Sequence, residues 1–303
     1  MNFDKISVLL LIVFLISCKQ EEMEPEPPCE NNQPGYNART GVSVMLQPDS
    51  FDEVIDHIEN RFNFSSHVFP IRTYDLQPML QQEGQDQRPI RLMYYYNRSV
   101  LGPILLDNPD AALEIPVPIL VYEDSCGNTW TAHRNGKFFE RRFDVDEYEA
   151  TARLTEQLDD ITNYDGRNYS GSVFTGRLIA NRHSQRYFEG VTEDFINYLE
   201  GEGFEILDQW DHHVLLSGAG FNLPRTRTLL INKPSTTVAL AGGNDLAYYD
   251  FPFRVVIRKS NSLTTICYYH PSTVVGEYPH QANSAAADLW QILYDATEYA
   301  LDI

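Results

Sequence analysis

IPVPILVYEDSCGNTWTAH, Ile115 to His133, and FPFRVVIRKSNSLTTICYYH, Phe251 to His270, follow one pattern. Each is an apolar run opened by an X-Pro pair, then a polar turn, then a second run rich in Thr, aromatic and small residues. The turns, Asp124-Ser125-Cys126-Gly127-Asn128 and Ser260-Asn261-Ser262, carry the residue types that close tight hairpins. About twenty residues upstream, Arg91–Tyr96 (RLMYYY) and Thr228–Asn232 (TLLIN) are matching strand candidates, and the spacings agree to within one residue. Agreement of order and spacing at that level is the mark of an internal repeat.

Working outward, each copy begins with a strand and a helix. In the first, Val42–Leu46 precedes Ser50-Phe51-Asp52-Glu53, whose Ser and Glu have capping-box spacing. Phe51, Val54, Ile55, Ile58 and Phe62 then fall on one helical stripe. In the second, Val173–Ala180 precedes a helix expected from about Thr192, with Phe195, Ile196 and Leu199 inward. A strand follows each helix, at His67–Thr73 and Glu205–Asp211. Each copy closes with a further helix. The first is marked by Val145, Tyr148, Ala152, Leu154, Leu158 and Ile161. The second, opening at Asn283-Ser284, is marked by Leu289, Ile292, Leu293, Ala296 and Ala300. The order per copy is strand, helix, four strands, helix, with Asn163–Asn168 as a polar linker.

NRSVLGPILLDNPDAALEIPVPILVYEDSCGNTW, Asn97 to Trp130, resembles the signature stretch of the domain of unknown function 302 family. The second copy, with LLINKPSTTVAL and FPFRVVI, is similar but more diverged, and Arg258-Lys259 stand where the family has Tyr-Glu. The resemblance implies an α+β fold: two tandem β-α-β4-α domains, each a curved antiparallel sheet with helices on one face, similar to the TATA-binding-protein architecture. A fold likeness of that kind licenses no function.

One face of each sheet is left needing a cover. In Thr129–His133 the Thr, Thr and His positions share one face and Trp130 and Ala132 the other. That cover is the sister copy or a ligand, and the copies are expected to pack as a pseudo-dimer through sheet edges or helices, about an approximate twofold axis; the alternative is two independent beads on the Asn163–Asn168 linker.

The chain start has a different character. Ile6–Ile16 (ISVLLLIVFLI) is an unbroken apolar run of eleven residues, too short for the roughly 20 of a bilayer span. It has the length of a signal-peptide core, and Leu15-Ile16-Ser17-Cys18 resembles a lipobox. A signal peptide over 1–17 and a lipid-modified Cys18 follow, acylated by palmitate-type chains that hold the protein on the bilayer. The acidic, Pro-rich stretch from Lys19 to Gly35 reads as a tether, taken here as 18–40, before domains at 41–162 and 168–303. The expected location is the cell envelope, anchored to the outer membrane and facing the periplasm or the cell surface.

A net charge of −20 opposes nucleic-acid binding, which rests on Lys and Arg neutralising phosphates. The chain has 4 cysteines, none at metal-ligand spacing, so no metal and no cofactor are expected, and Cys29, Cys126 and Cys267 allow at most one disulfide. No nucleophile-elbow or phosphate-loop pattern occurs.

The candidate ligand-binding residues are Tyr94 and Tyr96, Tyr248, and the strand-end histidines His133 and His270. A small-ligand or envelope-protein binding module is the leading reading. The alternatives are an enzyme centred on His133 or His270, with Glu123 or Asp124 nearby in chain, and a structural surface lipoprotein. His212-His213 reads as a strand end whose side chains diverge, which disfavours a shared metal.

Replacing Cys18 by Ala is expected to release the protein from the membrane fraction on cell fractionation. A Cys18→Ala variant that is processed normally and stays anchored would refute the lipobox reading.

Overall fold

The computed structural model describes residues 42–64, 68–85, 88–163, 178–278 and 283–302. The signal and tether segments, Cys18, Cys29, most of the Asn163–Asn168 linker and the first part of the expected Val173–Ala180 strand lie outside them.

The first repeat runs β1 (Ser43–Leu46), α1 (Phe51–Phe64), β2 (Val68–Asp75), α2 (Gln77–Gln82), β3 (Ile90–Asn97) and α3 (Arg98–Asp107). A first 3-10 helix (Pro109–Leu113), β4 (Val117–Glu123), β5 (Thr129–His133), α4 (Gly136–Phe143) and α5 (Tyr148–Thr162) complete it. The second repeats the order: β6 (Ile179–Ser184), α6 (Phe188–Gly201), β7 (Glu205–Asp211), α7 (His212–Ser217), β8 (Thr226–Asn232) and α8 (Pro234–Ala241). Then come a second 3-10 helix (Asp245–Tyr249), β9 (Phe253–Ser260), β10 (Leu263–Tyr269), α9 (Pro271–Val275) and α10 (Asn283–Leu301). Each repeat forms a five-stranded antiparallel sheet, in the orders β1-β5-β4-β3-β2 and β6-β10-β9-β8-β7. The α+β expectation of two tandem sheet-and-helix domains holds.

The amphipathic stripe of α1 is buried as its spacing requires: Phe51, Val54, Ile55, Ile58 and Phe62 are all in the core. Glu53 reaches back to the Ser50 amide at 3.0 Å and takes the Ser50 hydroxyl at 2.6 Å, which closes the first turn. Both bonds hold the Glu53 carboxyl below its ordinary pKa. In α5 the stripe is shifted from the expected one. Ala150, Leu154, Leu158 and Ile161 are buried, while Tyr148 and Ala152 face solvent, because Tyr148 is the first helical residue and Val145 packs from the preceding loop. Likewise α6 opens at Phe188 rather than near Thr192, and places Phe188, Val191, Phe195 and Leu199 inside. Helix α3 starts at Arg98, where the Asn97 side chain accepts from the Ser99 amide at 3.0 Å, and carries Gly102-Pro103 within it.

The two hairpins differ by one residue. From equivalent positions, Glu123 pairs with Thr129 over five intervening residues and Lys259 with Thr264 over four, of which Ser260 and Leu263 pair with each other around a two-residue turn. Asp124 organises the longer turn by accepting from the Cys126 and Asn128 amides (2.8 and 2.9 Å) and from the Trp130 indole (2.8 Å). Register carries a consequence: His133 lies opposite Ile119 and Tyr268 lies opposite Val255. Ile119 and Val255 each stand three residues after the cis prolines Pro116 and Pro252, so the counterpart of His133 is Tyr268, not His270. The two histidines end equivalent strands without being equivalent positions.

Each sheet uses its two faces differently. On the outer face Tyr95 meets Gln157 of α5, the Gln47 amide donates to the Thr131 hydroxyl at 2.7 Å, and Tyr268 packs against Trp290 of α10. On the inner face the repeats meet each other. Tyr94 packs on Trp210 with centroids 4.8 Å apart, and the Tyr74 hydroxyl donates to the Leu207 carbonyl at 3.2 Å. The 3-10 helices are exchanged: the first packs on β8, β9 and β10, and the second on β4 and β5. That reciprocity is the isologous pattern of a twofold pair. The expected pseudo-dimer is therefore present, but it closes through sheet faces and exchanged 3-10 helices rather than through sheet edges. Both repeats belong to one compact unit.

Separating the copies would strip Leu92, Tyr94, Trp210 and Leu230 of their cover. Fragments 41–162 and 168–303 expressed singly are expected to bind a hydrophobic dye and unfold without a cooperative transition, and to regain one when mixed. Two fragments that each fold stably and ignore one another would overturn this packing.

Candidate functional site

The residue just before each X-Pro pair is the same kind in both copies: Glu114 before Ile115-Pro116 and Asp250 before Phe251-Pro252. Each follows a 3-10 helix, opened by Asn108 or Asn244, whose side chain accepts from an amide two residues on, at 2.9 and 3.1 Å. Exchange of these helices brings the two carboxylates together at the repeat junction. There Arg134, just past β5, donates to both Glu114 oxygens at 2.8 Å and to both Asp250 oxygens at 2.9 and 3.0 Å. Arg254 of β9 adds a contact to Glu114 at 3.2 Å, and the Tyr278 hydroxyl donates to Asp250 at 2.5 Å.

All four ionic groups are buried, with Arg134 at 0% exposure and Asp250 and Arg254 at 4%. Two cations balance two anions, so each charge is compensated where water is absent. Burial works against the Arg254 charge, yet Glu114, Tyr94 and Asp250 hold its pKa above the ordinary value. The Arg134 guanidinium is also stacked between Phe138 and Tyr249, at 4.6 and 4.7 Å from the ring centroids. This cluster is closed to solvent, and its role is to fix the junction.

Beside it the junction opens into a shallow cleft with about 40 Å³ of enclosed room, or about 390 Å³ when the open solvent at its mouth is counted. The first repeat lines it with Leu80, Gln85, Arg88, Pro89, Ile90, Tyr122 and Glu123, and the second with Gly243, Asp245 and Tyr248. Arg88 pairs with Asp245 across the junction at 3.1 Å and reaches the Glu123 carbonyl at 3.5 Å. Burial, reinforced by Asp245, pushes the Tyr248 phenol up to about 12, so it stays protonated. The second 3-10 helix thus serves both places: Asp245 and Tyr248 face the cleft, while the Tyr249 hydroxyl accepts the Arg134 amide at 3.1 Å.

The five residues expected to bind ligand do not form one constellation. Tyr248 lines the cleft. Tyr94 and Tyr96 are buried on the inner face, Tyr94 against Trp210 and Tyr96 stacked on His212 at 5.9 Å. His133 points the other way, into the layer under α5, 3.5 Å from Asp159 and 1% exposed. His270, half-buried, stacks on Trp290 at 4.0 Å on the outer face of the second sheet, and burial lowers its pKa.

His212-His213 is a correction. The pair opens α7 instead of ending β7, because the Asp211 side chain accepts from the Val214 amide at 3.1 Å and starts a helix. His212 lies in a buried chain of hydrogen bonds. Thr228 donates its hydroxyl to the Ala112 carbonyl at 2.9 Å, so it accepts from His212 Nε2 at 2.8 Å, and Nδ1 takes the Tyr96 hydroxyl at 3.3 Å. Burial drives the His212 pKa to about 3, against a weaker opposing pull from Asp211, and the ring is neutral.

Cys126 is disulfide-bonded, with its partner outside the described residues, while Cys267 is free and buried. Among the described residues no group of three or more His, Cys, Asp or Glu is placed to hold a metal. The cleft residues Arg88 and Asp245 escaped sequence reading, and Glu123 entered only as a chain neighbour of His133. The one usable signal was the matched acid before each X-Pro pair.

Fold and junction define a tandem α+β pseudo-dimer with a cleft between its halves. The profile described as "Domain of unknown function DUF302" matches residues 42–162 and again 180–296, and the chain belongs to that family. A solved structure, "Crystal structure of uncharacterized conserved protein DUF302 from Bacillus stearothermophilus", is similar at 22% identity and a TM-score of 0.38. That likeness covers 40% of this chain and 97% of the other. No curated protein matches the chain.

Removing Arg134 leaves Glu114 and Asp250 buried with one cation between them. Arg134→Ala is expected to cost about 3–5 kcal/mol in urea unfolding, whereas Arg153→Ala, in an exposed pair with Glu149, changes stability by less than about 1 kcal/mol. A loss below about 1 kcal/mol for Arg134→Ala would show that the cluster does not hold the junction.

Proposed function

We propose that the chain is an exported lipoprotein of the cell envelope that works as a binding module, holding a small ligand in the cleft between its repeats. The cleft carries this reading: both copies line it, it joins apolar walls to a few polar groups, and a rigid junction pre-forms it. Export is supported by the Ile6–Ile16 run with Cys18 behind it and by a disulfide at Cys126, a bond suited to an oxidising compartment. With a net charge of −20, a nucleic-acid partner is disfavoured.

A His-centred enzyme is less well supported. His133 has the Asp159 carboxylate of α5 at 3.5 Å, but its own imidazole is buried beneath that helix, where a substrate would need direct contact with the ring. His270 stacks on Trp290, and among the described residues no carboxylate pairs with its ring.

The test is mass spectrometry of the protein extracted natively in mild detergent and then denatured. A small molecule released in near-stoichiometric amount is expected. It should be lost from a Tyr248→Ala variant that still folds. A ligand retained in full by that variant would move the site elsewhere.

A further inference from the structure

We propose that the cleft takes a small organic cation, an amine with an apolar or aromatic body. The inference rests on the binding reading and adds the chemical class of ligand. Among the described residues three charged side chains line the cleft, Arg88, Glu123 and Asp245, and they sum to one negative charge. Arg88 is already engaged with Asp245 at 3.1 Å and with the Glu123 carbonyl at 3.5 Å, so an anion would have to displace a formed ion pair.

Two polar groups on the wall have no such engagement. The Glu123 carboxylate has no ion pair or side-chain hydrogen bond among the described residues, and the Tyr248 hydroxyl likewise has none. Both accept hydrogen bonds, and an ammonium has three to donate. The Tyr122 and Tyr248 rings add polarisable area that favours a cation, and Leu80 and Ile90 supply an apolar floor. The field of a chain carrying −20 also draws cations toward any opening.

Duplication did not produce this arrangement twice. The positions equivalent to Asp245 and Tyr248 in the first 3-10 helix are Pro109 and Ala112, which have neither carboxylate nor phenol. The cation-accepting set belongs to the second helix.

Three probes of one shape separate the possibilities: tyramine, a cation; L-tyrosine, a zwitterion; and 4-ethylphenol, which is neutral. Calorimetric titration of the full-length protein in mild detergent is expected to show tyramine binding with a Kd below about 1 mM. The other two should bind at least about tenfold more weakly. Glu123→Gln should weaken tyramine about tenfold and Tyr248→Phe about threefold, with urea midpoints of both variants unchanged.

Equal affinity for all three probes, still reduced by Tyr248→Phe, would keep a binding cleft but overturn the cation assignment. Tyramine binding that ignores Glu123→Gln would overturn it too. Failure of all three probes to bind would remove the cleft as a ligand site, and with it the reading on which this inference rests.

Discussion

Two carboxylates and two guanidiniums, buried together at the seam between the repeats, are the constraint on which the rest of this structure depends. Glu114, Arg134, Asp250 and Arg254 are drawn equally from both copies, and none has water to fall back on. Such a group is poor value as a source of stability, because desolvation of the ions offsets most of their mutual attraction. Its effect is on uniqueness. Any sliding or rotation of one sheet over the other separates at least one charge from its partners, and an uncompensated buried charge is among the costliest defects a fold can carry. The apolar contact of Tyr94 with Trp210 would tolerate small shifts, but the bidentate geometry of Arg134 does not.

From that anchoring the exchanged 3-10 helices acquire their positions. Each ends in the acidic residue that enters the cluster, so each is pinned at its C-terminal end, while the Asn side chain fixes its start. The second helix then projects Asp245 and Tyr248 to the edge of the seam, where Arg88 meets Asp245 from the other repeat. The first projects Asp110 toward Arg258, at 3.1 Å.

The buried chain from Ala112 through Thr228 and His212 to Tyr96 belongs to the same logic. It crosses between the repeats twice, and every polar atom in it has a partner, so a neutral imidazole can sit in the core with its pKa near 3. Such a complete chain adds directional contacts to an interface that is otherwise aromatic and aliphatic.

Much of this was legible in the amino-acid sequence, because periodicity and turn chemistry act over a few residues. The stripe of α1, the strands around Ile119 and Val255, the hairpin turns and the duplication itself follow from spacing alone, as does the expectation that one face of each sheet needs a cover, though not which face. Local competition decided where the reading went astray: Asp211 caps a helix and turns His212-His213 out of the strand, and strand register sets His133, opposite Ile119, against Tyr268, opposite Val255, so that His270 falls beyond the equivalent position. The ionic cluster and the cleft lay beyond sequence reading for a different reason. Arg88 and Asp245 are 157 positions apart, and Arg134 and Asp250 are 116 apart. Apart from the matched acid before each X-Pro pair, nothing local marks a charged residue as destined for burial when its partner arrives only with the other copy. The sequence by itself determined two similar sheets, each lacking a cover on one face; the tertiary structure decided that each would cover the other, and which charges would meet there, because burial and pairing are properties of the closed seam and of no single segment.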